Sequence, residues 1–213
     1  MTPFIRPFQL NAIRQEFNKL LRVFYFVGDY RVYEATKREV AANIEAMFHP
    51  WTPEQKALFE GIEEVNGQRE LNHFLGKLRP FVMPFPYQPS EVRALFPKEK
   101  KLSVPNADDL NLEALTYLGW RDVASRQLYL VYRYNGVLFG MKGRYKANTG
   151  PRSVCCLCNQ AMSESPVGLV VMKTKSAAYK AVGNSMCLDS AICNQQLTST
   201  DGLDAFFERA TAD

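Results

Sequence analysis

All five cysteines of the 213-residue chain fall between residues 155 and 193. Cys155 and Cys158 stand two residues apart inside VCCLCNQ, and Cys187 and Cys193 five apart inside CLDSAIC. Thiolates are soft ligands, and two intervening residues let a tight turn aim both sulfurs of the first pair at one ion while turn N–H groups donate to them. Asn159 follows that turn and tolerates the left-handed backbone that knuckles of this kind use. The second pair fits the point where a loop enters a helix, with Asp189 or Ser190 placed to cap it. Cys156 is the spare thiol, because pairing it with Cys158 leaves one residue between sulfurs, a spacing that zinc knuckles rarely use.

Three other chemistries compete for clustered cysteines. Disulfides suit an oxidising compartment, and the N-terminal MTPFIRPFQLNAIRQ lacks the pattern of a secretory signal. A redox C-x-x-C opens a helix after a strand in a βαβ pattern, which is not the context here. An iron–sulfur cluster is the third. A knuckle, a strand region and a ligand-bearing helix start together describe a treble-clef-like finger around one structural Zn2+. Four thiolates close a tetrahedral shell and leave no position for water or substrate, so catalysis at this metal is not expected.

Elsewhere the sequence is poor in catalytic signals. The only histidines, His49 and His73, sit before a proline at a helix end and within a helical stripe; both read as structural. No H-x-E accompanies the cysteines, which removes the zinc deaminases, and there is no phosphate-binding glycine loop and no G-x-S-x-G. The expectation is a binding protein and not an enzyme.

The elements that must position these residues come in two kinds. In the first half, Leu10, Ile13, Phe17, Leu20, Leu21 and Phe24 repeat at helical spacing, and Val32, Thr36, Val40, Ile44, Met47 and Phe48 repeat it after Gly28-Asp29. Thr52, Pro53 and Gln55 spell a capping box for a third helix with Leu58, Phe59, Ile62 and Val65 as its stripe. Leu71, Phe74, Leu75 and Leu78 make a fourth, and short connections imply an antiparallel bundle. Four prolines between Pro80 and Pro89 then favour extended chain, and Ser90 starts a short helix through Phe96. Further on the period changes: LYLVYRY (Leu128 to Tyr134), Asn135-Gly136 and Val137 to Tyr145 read as a hairpin. Val167 to Met172 is another strand, and Leu203, Phe206 and Phe207 mark a last helix. The fold class is α+β: a helical bundle over residues 1–95, followed over 96–213 by an α/β domain with the four-cysteine finger.

Composition agrees with a folded protein, at 46% hydrophobic and 23% charged residues. No apolar run is long enough to span a membrane, and a cytoplasmic location is expected. The net charge of +4 is unevenly placed. Seven basic residues (Lys142, Arg144, Lys146, Arg152, Lys173, Lys175, Lys180) and one acidic one, Glu164, lie between 142 and 180. Such a segment suits an acidic protein surface or a nucleic acid backbone.

Several stretches resemble a known family, the FusB-type fusidic acid resistance and elongation factor G-binding proteins, also labelled fibronectin-binding proteins. They are CLDSAICNQQLT (187–198), CCLCNQ (155–160), LGWRDVAS (118–125) with LYLVY (128–132), and FVMPFPYQPSEVRALF (81–96). The resemblance covers nearly the whole chain. It implies a helical bundle joined to a treble-clef zinc domain that binds the C-terminal domains of elongation factor G. It also implies that the factor is released from ribosomes on which fusidic acid has trapped it, without chemistry on the drug. In the family the partner surface lies mainly on the zinc domain. Carried over by position, it falls on Phe206, while Val154, Val182 and Ser185 depart from the family's aromatic and basic residues. Tyr179 and Lys180 are placed to supply the missing ring and charge, with Lys173 and Lys175 beside them. The protein is expected to act as a monomer; a zinc-dependent RNA- or ribosome-binding protein is the alternative.

Overall fold

The structure is a computed structural model and describes residues 1–147, 153–161, 167–173 and 181–211. The chain divides into two compact units, Met1–Met83 and Pro84–Asp213.

In the first unit the expected stripes form helices. Helix α1 (Pro7–Phe26) starts on Pro7, and the Gln9 side chain accepts from the Arg6 N–H at 2.8 Å. Its stripe from Leu10 to Leu21 is buried, but the last member, Phe24, is exposed. Helix α2 (Tyr30–Ala46) is capped by the Asp29 carboxylate, which accepts from the N–H groups of Arg31 and Val32. Helix α3 (Pro53–Leu58) shows the Thr52–Gln55 capping box. It is shorter than its stripe suggests: Gly61 adopts φ 84°, and the chain continues as one 3-10 turn over Ile62–Glu64. Phe59 and Val65 are still buried, reached by the turn and not by a continuous helix.

Helix α4 (Gln68–Leu78) completes the unit and brings Phe74 edge-on to Phe17, with ring centres 5.6 Å apart. Extended backbone then closes it. The Ile5 N–H donates to the Phe81 carbonyl at 2.9 Å and the Met83 N–H to the Ile5 carbonyl at 2.8 Å.

In the second unit, helix α5 (Pro89–Ala94) precedes five strands, β1 (Leu118–Asp122), β2 (Gln127–Tyr134), β3 (Val137–Ala147), β4 (Val167–Lys173) and β5 (Ala181–Cys187). They form one antiparallel sheet in sequence order. Asn135 (φ 48°) and Gly136 (φ 79°) make the expected two-residue turn between β2 and β3. Strands β1 and β5 are absent from the sequence reading. The segment 84–95, which the sequence assigns to the bundle, packs in this unit: the Phe85 N–H donates to the Leu112 carbonyl at 2.8 Å. Phe85, Val92 and Phe96 share a core with Leu115, Leu118, Tyr129 and Val131. Strand β2 is buried on both faces over Leu128–Tyr132, because one side meets this α5 layer and the other meets the last helices. Those are α6 (Ser190–Gln196) and α7 (Asp201–Thr211). Among the described residues no helix is long and apolar enough to cross a membrane.

Candidate metal centre

Each cysteine ligand is positioned by a distinct piece of backbone. Cys155 and Cys158 sit in a turn closed by an antiparallel bridge between Val154 and Ala161. Within it the Asn159 N–H donates to the Cys155 carbonyl at 2.9 Å and the Cys155 N–H to the Gln160 carbonyl at 3.1 Å. Asn159 takes φ 55°, the left-handed conformation its amide side chain tolerates. The turn is pinned to the sheet where the Cys156 N–H donates to the Ser185 carbonyl of β5 at 2.8 Å. Cys187 ends β5. Cys193 lies one turn into α6, whose N-cap is Asp189, accepting from Ala191 at 2.9 Å and Ile192 at 3.1 Å. Knuckle, β-hairpin and helix start are the three parts of a treble clef.

The four sulfurs converge. All lie within 4.8 Å of one another, and Cys155–Cys193 and Cys158–Cys187 are each 3.9 Å apart. Sulfurs at about 2.3 Å from a zinc ion in a tetrahedron stand about 3.8 Å apart, so the donor set fits zinc in both size and chemistry. The Cys155 sulfur also accepts from the N–H groups of Leu157 (3.4 Å) and Cys187 (3.2 Å). Cys155 and Cys193 are fully buried, and Cys158 and Cys187 nearly so.

Charge explains why such a cluster needs a cation. Hydrogen bonds from Cys158, Cys187 and Cys193 hold the Cys155 thiol far below its ordinary value. The same contacts with Cys155 hold Cys187 and Cys193 far above theirs. One thiolate is therefore stabilised at the expense of its neighbours, and a divalent ion at the centre removes that conflict. Cys156 lies outside the cluster, its thiol pushed up to about 12 by burial and by the neighbouring Cys155 charge, which disfavours its thiolate.

Three residues that the sequence reading missed hold this centre in place. Asn194 is buried; its carbonyl accepts from the N–H groups of Thr116 (2.7 Å) and Tyr117 (3.2 Å), and its amide donates to the carbonyls of Tyr117 (3.0 Å) and Ser190 (2.8 Å). It therefore ties α6 to the chain entering β1. The fully buried Tyr117 hydroxyl hydrogen-bonds with Cys193, and burial first, then the thiolates, raises it well above its ordinary value. Gly202 of α7 lies against the knuckle so closely that a Cβ there would come within 2.5 Å of the Cys156 carbonyl oxygen and 2.6 Å of that of Leu157. An asparagine after a ligand and a glycine in a helix were visible signals, but their partners are remote in sequence.

The residues expected on a partner surface that the structure describes belong to different elements. Val154 is 52% exposed beside the knuckle. Phe206 is fully buried, with its ring 5.7 Å from that of Phe207, so in this structure it belongs to the core and offers no surface. An amphipathic helix buries its apolar stripe, and Leu203, Phe206, Phe207 and Ala210 are that stripe. Lys173 ends β4. Lys175, Tyr179 and Lys180 lie outside the described residues. Ser185 stands in β5 opposite Leu169.

Comparison with known proteins agrees with this geometry. No curated protein matches the chain. Among solved structures, that of the fusidic acid resistance protein FusC superposes with a TM-score of 0.83 at 26% identity, covering 97% of each chain. Residues 4–86 match the family model of the elongation factor G-binding protein N-terminal domain. Residues 91–206 match that of the FBP C-terminal treble-clef zinc finger. The four-sulfur site is accordingly that of a zinc finger, placed to bind one ion. The chain belongs to the family that joins an elongation factor G-binding N-terminal domain to an FBP C-terminal treble-clef zinc finger.

Proposed function

We propose that the protein binds elongation factor G, promotes its release from the ribosome, and so protects translation from fusidic acid. The observation that carries this reading is the likeness to the fusidic acid resistance protein over 97% of both chains, together with the elongation factor G-binding match over residues 4–86. The mechanism is binding without bond chemistry. A protein that shifts the factor off the ribosome must prefer a conformation that cannot remain there, because equal affinity for both conformations shifts nothing. The closed sulfur shell suits that role, since its zinc builds a surface and has no open position for substrate.

A docking face is available on the zinc domain. In the β3–β4 register Arg144 lies opposite Val171 and Lys146 opposite Leu169. Opposed residues share a face, and both arginine and lysine are exposed, with Leu169 at 50% and Val171 at 43%. Basic tips around exposed aliphatic side chains fit an acidic and apolar protein surface.

The test is calorimetric titration of the zinc-loaded protein into purified elongation factor G at two salt concentrations and two temperatures. A saturable stoichiometric signal that weakens in Arg144→Ala/Lys146→Ala is expected. Absence of heat at both temperatures would overturn the reading. RNA contact is the second reading, favoured by the same Arg144 and Lys146. It predicts binding to RNA alone with a steep salt slope.

A further inference from the structure

The sheet ends on β1 at one side and on β5 at the other, and its two edges differ. Strand β1 is five residues long, carries Arg121 and Asp122, and has its Gly119 carbonyl occupied by the Ser190 hydroxyl at 2.5 Å. Short length, charge and a side-chain partner are ordinary ways of closing an edge. Strand β5, AVGNSMC, has no charged residue and no proline, so nothing in its composition closes its outer side.

The pairing shows which main-chain groups of β5 are free. The Ser185 carbonyl accepts from the Cys156 N–H at 2.8 Å, and the Cys187 N–H donates to the Cys155 sulfur at 3.2 Å. Both residues therefore turn their main chain away from β4. Hydrogen-bonding direction alternates along an antiparallel strand, so Gly183 and Ala181 present N–H and C=O outward, and Ser185 presents its N–H. Among the described residues none of these groups has a partner, and Ala181 and Gly183 are exposed. Unpaired main chain of this kind is a template for another strand.

Three observations select the occupant. Donors and acceptors repeat roughly every 7 Å along the edge, which matches an extended polypeptide, whereas phosphates only accept. A second copy fits poorly: the knuckle fills the next-strand position from Ser185 onward, and a second β5 would bring its own knuckle to the same edge. The edge is also continuous with the face proposed above for elongation factor G, since Ser185 stands opposite Leu169 and Gly183 opposite Val171. Arg144 and Lys146 lie one strand further in and favour acidic side chains on the incoming segment.

We propose that an extended, acidic segment of elongation factor G adds to the sheet as a further strand along Ala181–Ser185 of β5. The inference rests on the factor-binding reading and names its mode of contact. Main-chain hydrogen bonds to the edge anchor the segment, and its alternate side chains cover Leu169 and Val171.

Amide hydrogen exchange of the zinc-loaded full chain, read residue by residue by NMR with and without saturating elongation factor G, tests it. The Gly183 and Ser185 N–H groups should exchange on the order of tenfold more slowly in the complex, because each gains an acceptor. Gly183→Pro removes an outward donor and spares the β4 ladder; it should weaken factor binding on the order of tenfold, with unchanged zinc content. Gly183→Ala keeps the donor, and its Cβ would meet nothing nearer than Val171 at 3.7 Å, so its affinity should equal that of wild type. Should Gly183→Pro lose zinc, the wild-type exchange measurement decides alone. A complex in which both amides exchange as in the free protein overturns this inference and leaves the factor-binding reading standing. Absence of any complex overturns both. Slowing of the same amides by RNA alone overturns the factor as occupant and gives the edge to the second reading.

Discussion

The two units are held together by opposite means. The core of the bundle is apolar from Ile5 and Ile13 to Leu71 and Leu78, its buried polar side chain, Thr36, bonds only to the Val32 carbonyl of its own helix, and its one ion pair among the described residues, Lys19–Glu39, is exposed. The zinc domain buries polar atoms: four thiols, the Asn194 amide and the Tyr117 hydroxyl. Apolar burial is non-directional and roughly additive, so a bundle loses stability in proportion to what is removed. A buried polar cluster is directional and must be satisfied as a whole, because each unpaired member costs its full desolvation. The first unit should therefore yield gradually and the second abruptly.

Removing the metal should separate them most sharply. Structural zinc sites carry on the order of 10 kcal/mol of coupled folding free energy. Cys187→Ser is expected to lose zinc, the near-ultraviolet signal of Trp120 and factor binding together, while the bundle keeps its helical signal and resists protease; full factor binding without zinc would break the comparison. Acid should act in the same sense, since each ligand must give up its proton to bind the ion.

Ile13→Ala comes next, at about 3 kcal/mol, within the range for truncating a buried aliphatic side chain. It should lower the midpoint of the helical transition in urea and leave zinc content at one. Asn194→Ala is expected to cost about 2–3 kcal/mol by stranding the Thr116 and Tyr117 N–H groups, read as a lower midpoint of the zinc-domain transition. Asn194→Asp should recover only part of it, because the carboxylate accepts but cannot donate to the Tyr117 and Ser190 carbonyls. Smallest of all is Cys156→Ser: metal analysis should still find one zinc, and thermal melting should shift little. A drop in zinc would place Cys156 in the coordination shell and redraw the knuckle.

The same contrast governs what the sequence disclosed. Three of the four helical stripes, the Thr52–Gln55 box, the Asn135-Gly136 turn and the cysteine spacings are local signals, and each appears in the structure. Strand β5, AVGNSMC, carries Gly, Asn and Ser and reads as loop; it is extended because β4 pairs with it from Val167 to Lys173. Strand β1 is short and interrupted by Gly119, which is needed because a Cβ there would lie 2.9 Å from Ser190 and 3.0 Å from the Tyr117 ring. Helix α3 stops early at a glycine whose backbone conformation, and not its stripe, decides the matter. Asn194 and Tyr117 became visible only once the fold joined positions 77 residues apart. Phe206 shows the converse: transfer by family position put it on a surface, whereas its place in the apolar stripe of α7 put it in the core.

The seat of Gly202 on the knuckle has a kinetic meaning. Two carbonyls of the metal-binding turn press against the backbone of α7, and the sulfurs behind them have almost no solvent access. A chelator is expected to reach the ion only when this packing opens, so zinc exchange should require local unfolding at the knuckle. Its rate should become independent of chelator concentration once the competitor is in excess, so that opening sets how long the protein remembers its metal.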